Sequence, residues 1–79
     1  MYSGGIILNF TIGEKIKIIL KRRNMTLAEL ADLTGQSRQN LSNKMARDNF
    51  TEKEARKIAE VLNCSFDTVF TFNDTKETI

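Results

Sequence analysis

The tightest constraint on this chain is a short helix whose two ends are both written into the sequence. Thr26-Leu27-Ala28-Glu29 has the form of a capping box. In such a box the threonine hydroxyl accepts from the glutamate amide, and the carboxylate reaches back to the threonine amide. Met25 just before the cap and Leu30 just inside it stand where a hydrophobic staple forms. Leu27, Leu30 and Ala31 give the helix an inward face, and Gly35 is a natural left-handed stop. Ser37 can cap the helix that follows, so only Thr34-Gly35-Gln36 joins the two. Two helices around so tight a glycine turn form a helix-turn-helix arrangement.

The chain contains no proline, so its other helices must also be bounded by caps and turn residues. Ile12, Ile16, Ile19 and Leu20 form one apolar stripe of helical period after Thr11. Glu14 lies near the start of that stripe and Lys21, Arg22 and Arg23 near its end, matching the helix dipole; Asn24 ends it. Thr51-Glu52-Lys53-Glu54 repeats the capping box, with Phe50 and Ala55 in staple positions. Ala55, Ile58, Ala59 and Leu62 then face a core, and Asn63 can close the helix. The expected helical core runs over 11–63 of a single domain, 1–79. Residues 1–10 and 64–79 are candidates for strands. Ile6, Ile7, Leu8 and Phe10 are β-prone, and Phe66, Thr68, Phe70 and Phe72 alternate onto one side of an extended chain. A short fifth helix capped by Ser65, with Phe66, Val69 and Phe70 inward, is the competing reading of the second segment. The fold class is all-α in the main, with four to five helices.

The helix after Ser37 is unlike the others. Only Leu41 and Met45 are apolar at helical spacing, while Arg38, Gln39, Asn40, Ser42, Asn43 and Lys44 are polar. Asparagine is a poor helix former, so two Asn and a Gln in one short helix point to contacts outside the fold. Arg pairs with the N7 and O6 acceptors of guanine, and Gln or Asn pairs bidentately with adenine. Arg38, Gln39 and Asn43 are therefore candidate base readers on a recognition helix spanning 38–46, and Gln39 and Asn43 lie one turn apart.

Composition narrows the remaining choices. A chain of 79 residues that is 41% hydrophobic and 28% charged is large enough for one core and excludes wholesale disorder. It has no His, one Cys and no phosphate-cradling Gly loop, so neither a zinc site nor an activated nucleophile is expected. The chain reads as a non-enzyme without cofactors. Lacking disulfides, a signal-peptide pattern and a long apolar run, it is expected in the cytoplasm and off the membrane. Residues 1–50 carry eight basic and four acidic side chains, residues 51–79 four and six. The resulting +4 and −2 halves suit a molecule that offers one face to a polyanion.

The segment Met25-Thr26-Leu27-Ala28-Glu29-Leu30-Ala31, followed by Gly35-Gln36-Ser37 and Leu41-Ser42, resembles the lambda-repressor-like helix-turn-helix family. This is the group of phage repressors, Cro proteins and xenobiotic-response-element regulators. Leu62-Asn63-Cys64-Ser65-Phe66-Asp67 is similar to that family's entry into its last helix, and the resemblance covers roughly residues 11–70. It implies that Arg38, Gln39 and Asn43 read bases, with Ser37, Asn40 and Lys44 near phosphates and Thr26 doing the same at the start of its helix. Gln36, in the turn, is either a further phosphate contact or a plain turn residue. The sequence departs from the family at Leu27, where many members have a phosphate-binding Gln, and at Lys44-Met45, which moves the buried seam to Met45.

The expected function is sequence-specific binding of double-stranded DNA by a small transcriptional regulator. It would act as a homodimer, with no small-molecule effector. The apolar residues Ile6, Leu8, Phe10, Phe70 and Phe72 are expected to pair as strands and support that dimer. The alternative is an interaction module such as an antitoxin or anti-regulator on the same fold. Binding of single-stranded RNA is disfavoured, because the basic half is nearly without aromatics for stacking.

Overall fold

The computed structural model describes residues 10–79, and the helices found there are α1 (Ile12–Arg23), α2 (Leu27–Leu33), α3 (Arg38–Arg47) and α4 (Glu52–Val61). Both capping boxes form as expected. The Thr26 hydroxyl accepts from the Glu29 amide at 3.1 Å, while Glu29 Oε1 accepts from the Thr26 amide at 2.8 Å. Thr51 and Glu54 repeat this geometry at the start of α4. A third box, Thr11 with Glu14, starts α1. Asn24 and Asp48 cap α1 and α3 in the left-handed conformation, at φ 59° and 51°. Gly35 turns the chain between α2 and α3 at φ 72°, where a side chain would be strained.

The core gathers Ile16 and Leu20 from α1, Leu30 and Ala31 from α2, Leu41 and Met45 from α3, and Ile58 and Leu62 from α4 and its cap. Leu30 and Leu41 are fully enclosed. Leu27 is only half-buried and packs against the core from its edge, as do Met25 and Phe50. No polar or charged residue is buried among the described residues, so every hydrogen-bonding side chain of α3 is left outside the core.

A contact between helix ends fixes the angle of α3. The Asp48 carboxylate at the foot of α3 accepts from the Gly13 amide in the first turn of α1, at 3.2 Å. A Cβ at Gly13 would stand 2.7 Å from the Met45 carbonyl oxygen, so only glycine lets the backbones approach this closely.

The tail corrects one sequence reading. No fifth helix follows Ser65. After Asn63, at φ 57°, residues 64–70 run without regular structure. Arg56 holds this stretch, donating from Nη1 to the Phe66 carbonyl at 3.1 Å with its guanidinium 6.0 Å from the Phe66 ring centre. Val69 and Phe70 stay exposed rather than turning inward. The β-branched and aromatic run favours extended backbone and closes as a narrow hairpin. Phe70 and Ile79 exchange two N–H···O bonds (2.8 and 2.9 Å), and the Phe72 amide donates to the Glu77 carbonyl at 2.8 Å. Thr71 and Thr78 form a single bridge. The expected N-terminal strand, with Ile6, Ile7 and Leu8, lies outside the described residues.

Candidate nucleic-acid interface

The outward surface of α3 begins with its cap. The Ser37 hydroxyl accepts from the Asn40 amide at 3.0 Å, which leaves its own hydrogen free to donate outward. Arg38 follows as the first helical residue, exposed, with no hydrogen bond or ion pair to any described residue. One turn on, Gln39 Nε2 donates to Asn43 Oδ1 at 3.2 Å. This bond pairs the two exposed side chains and leaves the Asn43 amide donor and the Gln39 carbonyl acceptor without a partner among the described residues. A complementary donor and acceptor are what an adenine edge requires.

A second chain of bonds runs along the neighbouring flank. Asn40 Nδ2 donates to Gln36 Oε1, and Gln36 Nε2 donates to Thr34 Oγ1, both at 3.0 Å. The Thr34 hydroxyl in turn donates to the Leu30 carbonyl at 2.9 Å. Gln36 is therefore half-buried and ties the turn to the recognition helix. Together with Lys44, Phe50 and Lys57, Gln36 and Asn40 line a cleft of about 200 Å³. Lys44 closes that cleft by pairing with Glu54 of α4.

Of the residues singled out in the sequence, Arg38, Gln39 and Asn43 come together on the outer surface of α3. Gln36, Asn40 and Lys44 line one flank, and Ser37 stands at the helix start. Thr26 stands apart at the far end of α2. There Glu29 already occupies the Thr26 amide, and these hydrogen bonds hold the Glu29 carboxyl below its ordinary value of 4.5. The Thr26 hydroxyl hydrogen is what remains for a ligand.

The structure adds residues that the sequence reading passed over. The helix runs to Arg47 rather than 46, so Gln39, Asn43 and Arg47 make one row at four-residue spacing, all exposed. The four-residue spacing carries that signal, and a recognition helix spanning 38–46 stops one residue short of it. Lys57 and Glu54 reach the cleft from α4, which no local pattern in α3 could indicate.

A short bracing helix, a tight glycine turn and a second helix whose polar side stays outside an apolar core define a helix-turn-helix DNA-binding domain. Residues 15–75 match the Cro/C1-type HTH DNA-binding domain, and the chain belongs to that family. No curated protein and no solved structure gives a significant match to the chain. Among the described residues, no helix is long and apolar enough to cross a membrane, and no cluster of potential metal ligands forms.

Proposed function

We propose that this protein is a sequence-specific double-stranded DNA-binding transcriptional regulator, with α3 lying in the major groove. The observation that carries the reading is the paired Gln39–Asn43 row on a helix whose only buried side chains are Leu41 and Met45. Arg38, Gln39 and Asn43 read base edges. Thr26, Gln36, Ser37, Asn40 and Lys44 contact phosphates, with Arg47 extending the row along the groove wall. Gln36 and Asn40 enter this contact already oriented by each other, which lowers the ordering cost of binding. The chain works as a homodimer on a two-fold symmetric operator, in the compartment that holds the DNA, with no cofactor, effector or enzymatic step.

Selection from a random duplex library followed by sequencing tests this reading. A recovered motif with two inverted half-sites supports it. Retention independent of sequence, or no retention at low salt, overturns it and returns the chain to the class of protein-interaction modules.

A further inference from the structure

Thr34 closes α2 and is half-buried. Two carbonyl oxygens stand close to its hydroxyl, that of Leu30 at 2.9 Å and that of Ala31 at 3.2 Å. Neither can donate, so the single hydroxyl hydrogen is spent on them. Thr34 Oγ1 is left as an acceptor, and Gln36 Nε2 donates to it at 3.0 Å. Gln36 must then offer Oε1 at its other side. Asn40 meets that oxygen with Nδ2, also at 3.0 Å, rather than with Oδ1. Each bond dictates the direction of the next, from a backbone carbonyl that can only accept to an exposed amide on α3.

The consequence falls on Asn40. Its side chain is exposed, and Oδ1 has no partner among the described residues. Lys44, one turn on, is occupied by Glu54. Had the relay run the other way, Asn40 would accept from Gln36 and keep both amide hydrogens. That arrangement suits a phosphate best, because a phosphate only accepts. In the observed direction one N–H remains for a phosphate, while the free carbonyl oxygen calls for a donor. The donors on base edges in the major groove are the amino groups of adenine N6 and cytosine N4. Guanine O6 and thymine O4 are acceptors.

We propose that Thr34 is a positioning residue for base selection. Through Gln36 it holds Asn40 with Oδ1 unpaired, so that Asn40 favours adenine or cytosine over guanine or thymine at one position of the contacted strand. Thr34 itself touches no base. The assignment rests on the reading of α3 as the major-groove helix, and it adds a base contact to the phosphate contact given to Asn40 there.

The test is a panel of duplexes varied one base pair at a time from the selected operator. Asn40→Ala should flatten one position by about 2- to 12-fold, the worth of one hydrogen bond. Thr34→Val keeps the side-chain shape and deletes the hydroxyl. It should flatten the same position and leave those read by Arg38, Gln39 and Asn43 intact. Thr34→Ser keeps the hydroxyl and should keep the preference. Thr34→Val added to Asn40→Ala should cause no further loss at that position. A merely structural Thr34 would lower every affinity in proportion, and that result for Thr34→Val overturns the proposal. So does a wild-type profile in Thr34→Val, no flattened position in Asn40→Ala, or a preference for guanine or thymine where Asn40 reads. Each of these failures leaves the DNA reading standing. A wild type without any sequence preference overturns that reading and this assignment together.

Discussion

Arg38 and Lys44 lie on the same helix, and the proposed reading gives them different tasks, so their variants should separate. Arg38→Ala should cost about 1–3 kcal/mol on the preferred site and relax discrimination at one base position, as a bidentate pair is lost. Lys44→Ala should weaken all sequences alike. Because Lys44 is paired with Glu54, its charge is shared, so freeing it should do the reverse. Glu54→Gln should tighten binding to random duplex and steepen the salt slope by up to about one counterion. Unchanged affinity in Glu54→Gln, measured at several salt concentrations, would remove Lys44 from the phosphate contacts. Glu29 makes a separate prediction. Its folded value is lowered by the bonds to Thr26, so its contribution to stability is complete above pH 4.5 and fades as pH falls through the lowered value. Glu29→Gln should flatten the pH dependence of the melting temperature in that acid range; an identical profile in both proteins would contradict the assignment.

Each helix carries its own start signal, but the angle between helices is carried elsewhere. The capping boxes at Thr26 and Thr51 were legible because donor, acceptor and spacing lie within a few residues. The αL residues Asn24 and Gly35 were legible for the same reason. Gly13 was not, since its reason for being glycine is the Met45 carbonyl far along the chain. The hairpin escaped in the same way. A β-prone run announces extended backbone, whereas its partner, 77–79, is polar and unremarkable but for Ile79. Within the site, the Gln39–Asn43 row could be read from spacing, while the Lys44–Glu54 pair depends on α4, which the fold seats against α2. Gly13→Ala makes this testable. Helix propensity alone favours alanine by about 1 kcal/mol, but the overlap with backbone should cost about 1–3 kcal/mol. Urea melts should therefore show net destabilisation. A more stable variant would mean that α1 shifts freely on α3.

At the scale of the molecule, the basic half carries the helix-turn-helix and the acidic half carries α4 and the tail. Attraction to a polyanion is thus stronger for the half that carries the helix-turn-helix. The affinity for an operator should fall linearly in log–log form with salt, each neutralised phosphate adding about 0.9 to the slope. A two-half-site operator should show about twice the slope of a single half-site. Equal slopes would indicate one domain per operator. The thin attachment of α3 has a consequence for how such proteins diverge. Its seat in the fold is held by Leu41, Met45 and the Asp48–Gly13 clasp, and none of these belongs to the outward row. Residues 38, 39, 43 and 47 can then be exchanged as a set without disturbing the core. Under the proposed reading, target preference becomes a replaceable cassette, free to drift or be reprogrammed while the scaffold beneath it stays the same.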